Sequence, residues 1–284
     1  MANVRIVTDV TANLDPGLVE QFKITVLPIE IRVGDALHVI GPGEAGEDLF
    51  EQMAEDPAQS SSVTIPASVF HRAFTELCRQ TEQILVIVTS SKLSGAFEQA
   101  RIASQAFLGR CRIVVLDSMS VSWGLGLMVR AAARAASRSL LLDEIVRMVR
   151  GILPHIYFVF LVERLDYLEK GGRLGAAQAL LGTMLRIKPL LLMEDGEIVS
   201  LEKVRTRSAA LEKLVDFVTE FATIEEVMIL KSPVDSELNG LIPELKELLK
   251  QALPRQQFET IDYDPILATH LGPEALGIIV YEGL

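Results

Sequence analysis

Ile84-Leu85-Val86-Ile87-Val88-Thr89-Ser90-Ser91-Lys92-Leu93-Ser94-Gly95-Ala96-Phe97 is the stretch whose reading decides the fold of this chain. Five aliphatic residues give way to hydroxyls and a glycine, and helix-compatible sequence follows, which is the pattern of strand, turn and helix. The same alternation begins at Val4–Asp9 and returns at Arg112–Asp117, with a further strand-like run over Ile24–Ile31. Between them, Val69, Phe70, Ala73, Phe74 and Leu77 mark one face of a helix opened by Pro66. Repeated β-α units build a mostly parallel sheet, so the first half reads as an α/β domain.

The second half changes character. An amphipathic stretch over Leu141–Val149 ends near Gly151–Pro154, and the apolar run Ile156–Val162 begins a new region. Pro189–Met193 and Glu197–Val204 flank Glu194-Asp195-Gly196, the signature of a hairpin. Amphipathic stretches at Arg207–Phe221 and Ser236–Leu253 alternate with strand-like runs at Val227–Leu230, Phe258–Tyr263 and Gly277–Tyr281. The expectation is two domains, an N-terminal α/β domain over residues 1–153 and a C-terminal α+β domain over residues 154–284.

At 284 residues, 49% hydrophobic and 23% charged, the chain can bury sizeable cores, and disordered, collagenous and coiled-coil classes are excluded. Twenty-seven Lys and Arg against 38 Asp and Glu give a net charge of −11, which opposes binding to nucleic acid phosphates or anionic membranes. Mean hydropathy is high at +0.32, yet no apolar run approaches the ~20 residues of a membrane span, so no stable membrane insertion is expected. With aromatics at only 6%, the surplus is aliphatic and suits either a large core or an apolar cavity. Met1-Ala2-Asn3-Val4-Arg5 carries no export signal, and Cys78 and Cys111 make no disulfide framework, so a cytoplasmic protein is expected.

Several familiar chemistries are missing from the sequence. There is no G-x-x-x-x-G-K-[ST] loop, and Trp123-Gly124-Leu125-Gly126 has Val129 where a dinucleotide fingerprint needs its third glycine. His38, His71, His155 and His270 are scattered without metal-ligand spacing, so neither a metal nor a cofactor is expected. What remains is a set of anion-friendly features. The Ser90–Gly95 turn aims N–H groups and the Ser94 hydroxyl ahead of a helix, an arrangement that suits an anion or an ordinary helix cap. Ser60-Ser61-Ser62-Val63-Thr64 precedes the Pro66 helix in the same manner. Lys170-Gly171-Gly172-Arg173 puts two cations on a close-approach backbone, either for a phosphate or acidic partner or as a helix end capped by glycine. Arg205 and Arg207 read as surface charges, and His270 sits beside the Gly272-Pro273 turn.

Taken in order, these segments resemble the DegV family of bacterial lipid-binding proteins. The resemblance rests on Thr8-Asp9, Ser90-Ser91-x-Leu93-Ser94-Gly95, Leu116-Asp117-Ser118, Leu168-x-Lys170-Gly171-Gly172-Arg173, Lys188-Pro189, Asp195-Gly196, Lys203-x-Arg205 and His270-x-Gly272-Pro273, and spans essentially the whole chain. It implies a two-domain α/β fold holding a long-chain fatty acid in an internal apolar tunnel, the carboxylate lying between the domains. Ser94 and Gly95 carry over as carboxylate contacts. The family's threonine-serine-x-proline loop reads Val63-Thr64-Ile65-Pro66 here, so Thr64 or Ser62 must supply that hydroxyl. Arg173, Arg205 and His270 carry over to the exposed head group or a partner surface, Lys170 with them. The resemblance further implies a partner fatty acid kinase that phosphorylates the bound acid to an acyl-phosphate, this chain being a carrier without catalytic residues of its own. Two alternatives stay open: a lipid or ester hydrolase using Ser94, Asp117 and His270, although no G-x-S-x-G elbow is present, and a lipid-sensing protein with no kinase partner.

Overall fold

A computed structural model describes residues 4–44, 46–55, 60–175, 177 and 188–283. The chain is mixed α/β and divides into two compact units, residues 1–32, 36–44 and 62–154 in the first, 33–35, 45–61 and 155–284 in the second.

The first unit is built on four parallel strands, β1 (Val4–Asp9), β2 (Thr25–Leu27), β6 (Gln83–Val88) and β7 (Arg112–Asp117), in the order β2-β1-β6-β7. Ile84 through Val88 are all fully buried, as expected of a strand covered on both faces. Helix α1 (Pro16–Phe22) carries the chain from β1 to β2, and α4 (Ala96–Ser104) carries it from β6 to β7. The first connection leads to one side of the β1–β6 pair and the second to the other, so the strand order reverses between β1 and β6. In doubly wound sheets the carboxyl ends of such a pair open onto a ligand crevice.

The Ile24–Ile31 run is not the single strand its composition suggests. Pro28 has no N–H to give a ladder, and the run breaks there into β2 and β3 (Ile29–Val33), which lies in a separate small sheet with β4 (Ala36–Ile40). Helices α3 (Ala67–Leu77), α5 (Ser122–Ser137) and α6 (Leu142–Ile152) complete the unit. Helix α6 buries Leu142, Ile145, Val146, Val149 and Ile152, the single stripe its sequence shows, and the Glu144 carboxylate accepts the Leu141 N–H at 2.8 Å.

The second unit takes in α2 (Glu47–Glu55) and most of the short strand β5 (Ser60–Ser62). Its six-stranded mixed sheet runs β10-β9-β8-β13-β11-β12, comprising β8 (Ile156–Val162), β9 (Lys188–Glu194), β10 (Glu197–Val204), β11 (Glu226–Lys231), β12 (Glu259–Asp262) and β13 (Ala275–Tyr281). The β9–β10 hairpin turns on Asp195 and Gly196 with φ of 48° and 79°, the left-handed pair a two-residue turn of this hand requires. Helices α8 (Arg207–Thr219) and α9 (Ile242–Ala252) cover one face, burying Leu211, Leu214, Leu245 and Leu249 against Val159, Leu190, Ile229 and Ile278. The Ser236–Leu253 amphipathic stretch enters a 3-10 turn at Asn239–Leu241 and becomes α-helical from Ile242, with Pro243 in the first turn, where no N–H is needed. Helices α7 (Asp166–Lys170) and α10 (Pro265–Leu271) are short; α10 packs on α2.

Candidate functional site

In the first unit the sequence-predicted hydroxyl turn forms at the carboxyl end of β6. Ser90 N–H donates to Ser120 O at 2.9 Å, and Ser90 O accepts Leu93 and Ser94 N–H at 3.0 and 2.9 Å. The Asp117 carboxylate takes Ser91 N–H at 3.1 Å and Met119 N–H at 3.0 Å, which commits it to holding two turns together. Ser94 Oγ accepts the Ala96 N–H at 3.3 Å. That contact is the cap-like alternative, and it leaves the hydroxyl's own hydrogen to donate elsewhere.

The loop before α3 meets this turn. A β-carbon built on Gly95 would lie 2.9 Å from Thr64 Cγ2 and 3.4 Å from Thr64 Oγ1, so the absence of a side chain at Gly95 is what lets Thr64 approach. Gln99 Oε1 accepts Ala67 N–H at 3.1 Å and ties the first turn of α3 to α4. Ser94 is half-buried while Gly95 and Thr64 are exposed, and Ser62, half-buried, stands two residues upstream at the end of β5. Ser94, Gly95 and Thr64 therefore form one cluster of small, neutral hydrogen-bonding groups. Asp9 lies fully buried at the end of β1 and is bonded to Thr11 and Thr89, a network the sequence reading names only through its Thr8-Asp9 motif. Burial pushes its carboxyl upward against the opposing pull of those hydrogen bonds.

In the second unit Lys170-Gly171-Gly172-Arg173 takes the helix-end form. Gly172 has φ 67°, its N–H donates to Glu169 O at 3.0 Å, and Arg173 N–H reaches back to Leu168 O at 2.9 Å, closing α7 in a Schellman motif. The Arg173 guanidinium donates to Gly171 O, and its partial burial lowers its pKa. A β-carbon on Gly171 would fall 2.7 Å from His270 Nδ1, so the glycine-glycine-arginine segment and His270 are in contact. Burial, with the Arg173 charge adding to it, holds the His270 imidazole down to about 3, so the ring is neutral near pH 7. This environment does not support an imidazolium at His270, so the ring enters any head-group or partner contact uncharged. Lys170 and Arg205 are exposed, and among the described residues neither joins the Arg173–His270 contact by a hydrogen bond or ion pair. Arg207 is half-buried and paired, with Glu163 at 3.1 Å and with Glu237, and Lys188 pairs with the same Glu163.

A cavity of about 180 Å³ in the second unit is lined by Ala54, Glu163, Arg164, Tyr167, Leu271, Gly272, Pro273 and Glu274. It falls below the ~300–1,000 Å³ of ordinary ligand pockets, and none of the candidate head-group residues is on its wall. Among the described residues no cluster suited to a metal ion is found, and no helix is long and apolar enough to cross a membrane.

The sequence profile of the family described as "Uncharacterised protein, DegV family" matches residues 3–283. The chain belongs to the DegV family. A DegV domain-containing protein of Listeria monocytogenes is 30% identical over 280 residues, with 97% of each chain covered. Among solved structures, a DegV family protein from Thermus thermophilus, described by its fatty acid binding, is 25% identical with a TM-score of 0.87, covering 99% of this chain and 100% of the other. A fatty acid binding DegV family protein from Streptococcus agalactiae, 24% identical, superposes over 100% of both chains with a TM-score of 0.91 and bears on the fold. This DegV chain thus shares the mixed α/β fold of these relatives from end to end.

Proposed function

We propose that the protein binds a long-chain fatty acid, its carboxylate held by Ser94, Gly95 and Thr64, with Ser62 beside them, and its tail enclosed in an apolar channel. The observation that carries this reading is the convergence of the Ser94 hydroxyl, the Thr64 hydroxyl and an unobstructed glycine backbone at the strand-order reversal of a parallel sheet. A carboxylate removed from water needs such donors, because desolvating it unpaired costs far more than the tail can return. About 14 methylenes at ~0.8 kcal/mol each supply roughly 11 kcal/mol of gross transfer free energy, from which ordering and association are subtracted. The fatty acid binding described for the Thermus relative supports the same reading.

In its finer form the proposal is that the bound acid is presented to a partner fatty acid kinase, the kinase supplying nucleotide and catalysis in the cytoplasm. His270 and Arg205 are proposed as further head-group contacts, and Arg173 and Lys170 as docking residues, from the family pattern; the exposure of Lys170 suits that part better than the half-buried Arg173. The hydrolase alternative draws no support from Asp117, whose carboxylate is occupied by two backbone N–H groups.

The experiment is mass spectrometry of lipid extracted from natively purified protein, together with titration of Ser94→Ala with hexadecanoic acid. The expected result is a co-purifying long-chain acid and a Kd raised about 10- to 100-fold, the loss of one charge-assisted hydrogen bond. Absence of any acid and an unchanged Kd refute the reading.

A further inference from the structure

The carboxyl ends of β1 and β6 are held by one carboxylate. Asp9 Oδ1 accepts Thr11 N–H at 3.1 Å and Oδ2 accepts Thr89 N–H at 2.8 Å, while Thr89 Oγ1 donates into the same group at 3.0 and 3.1 Å and the Thr11 hydroxyl donates to Oδ1. Asp9, Thr11 and Thr89 are all buried, and every donor that faces the carboxylate in these contacts is neutral. Burying a carboxylate with no cation is an expensive way to join two strands that already share a parallel ladder.

What the group adds is control over the residue where β6 stops. Thr89 is the residue before Ser90, and Ser90 O in turn accepts the N–H groups of Leu93 and Ser94. We propose that Asp9 is a positioning residue for the Ser90–Gly95 turn, fixing through Thr89 the place at which Ser94 and Gly95 meet a ligand carboxylate. The proposal rests on the fatty acid reading of that turn. A preset donor pair loses less freedom on binding than one ordered by the ligand, so the effect belongs to head-group preference rather than to tail affinity.

The test compares Asp9→Asn with Thr11→Val. Asparagine keeps the volume but turns one acceptor oxygen into a donor that faces a backbone N–H; Thr11→Val removes a hydroxyl from the β1 side, and with it the Thr11–Thr89 hydroxyl contact at 2.5 Å, but leaves the Thr89 contacts with Asp9 in place. Two readouts are taken: amide exchange of residues 90–95 against residues 83–88 in ligand-free protein, and the preference for hexadecanoic acid over hexadecanol, which share a tail. For Asp9→Asn the expected result is exchange in 90–95 faster by about tenfold with 83–88 unchanged, and an acid preference reduced by about tenfold. Thr11→Val is expected to lower stability with the preference within about twofold of wild type. Uniform exchange across strand and turn, or equal loss of preference in Thr11→Val, overturns the proposal. If Asp9→Asn does not fold, Thr89→Val, which spares the Asp9 carboxylate, is held to the same outcomes as Asp9→Asn. A wild-type protein that does not prefer acid to alcohol refutes the fatty acid reading instead, and the exchange pattern alone then decides whether Asp9 positions the turn.

Discussion

Gly95→Ala separates the proposed carboxylate site from the fold that carries it. The added β-carbon would lie 2.9 Å from Thr64 Cγ2 and 3.4 Å from Thr64 Oγ1. Gly95 has φ −76°, open to any residue, and Thr64 is exposed, so its side chain can rotate away. Rotation to a poorer rotamer costs about 0.5–1.5 kcal/mol, and the reduced freedom of the unfolded chain returns about 0.4–1 kcal/mol, which leaves stability within ~1 kcal/mol of wild type. Binding is affected differently. The methyl group blocks close approach to the backbone and the displaced Thr64 withdraws its hydroxyl, so at least one hydrogen bond to a charged group is lost, about 1.5–3 kcal/mol or roughly 10- to 150-fold in Kd. Urea unfolding and displacement of a fluorescent long-chain fatty acid measure the two quantities on one preparation. Thr64→Ser in the Gly95→Ala background removes Cγ2 and keeps the oxygen, and it should recover most of the lost affinity. Gly95→Ala binding within about twofold of wild type at unchanged stability would refute the placement of the carboxylate here.

Gly126→Ala should instead damage the fold: its β-carbon would stand 2.3 Å from Ala12 O, a backbone atom that cannot rotate aside, so a loss of at least about 2 kcal/mol is expected in urea unfolding, and a wild-type midpoint would show that α5 packs differently. His270 gives a pH signature. Its folded value of about 3 lies below the unfolded 6.5, so between these the unfolded chain binds more protons, and stability falls as pH drops from about 6.5 toward 3, by up to ~4–5 kcal/mol for a wholly sealed ring. His270 keeps partial exposure, which makes that an upper figure. Asp9, with its raised value, works in the opposite sense just above its ordinary 3.8 but is common to both proteins compared. His270→Gln should therefore flatten the difference in unfolding free energy between pH 7 and pH 4, and parallel curves would place the ring in water.

Strands and helices were legible where the signal is local. Ile84–Val88 reads as a covered strand because every residue is aliphatic, α6 by its stripe, and the β9–β10 hairpin because Asp195-Gly196 tolerates two left-handed residues. Pro28 is equally visible, yet its consequence, that β2 and β3 lie in different sheets, depends on pairing partners distant in the chain. Residues 45–61 carry no mark of belonging with the second unit; what places them there is Phe50 against Tyr263, with ring centroids 5.6 Å apart, and the Tyr167 hydroxyl donating to Met53 O at 2.8 Å. The site shows the same division. Ser94 stands out in sequence because a strand ends in hydroxyls. The Thr64–Gly95 approach, the Asp9–Thr89 bond across 80 residues and the Gly171–His270 contact are products of folding that no local period encodes.

The charge of the chain bears on which residues can supply affinity and which can supply selectivity. A net charge of −11 repels a carboxylate at long range, although screening confines exposed charges to a reach of about 10 Å at 0.1 M salt. The donors gathered at Ser94, Gly95 and Thr64 are neutral, so they add nothing to attraction at a distance and act only once the head group is in contact. Binding energy in such an arrangement must come from the tail, which feels no charge, while the hydroxyl and backbone groups determine which head group the site accepts. A hydrogen-bonding site discriminates by what it leaves unpaired, because an alcohol or ester placed there cannot engage every donor meant for two carboxylate oxygens. Neutral donors also leave the carboxylate more nucleophilic than a tight pairing with arginine would. On the proposed reading, in which a partner kinase acts on the head group, an acid held in this way stays available to that chemistry, and any cation near it comes from Arg205, proposed above as a further head-group contact, or from the partner, rather than from Ser94, Gly95 or Thr64.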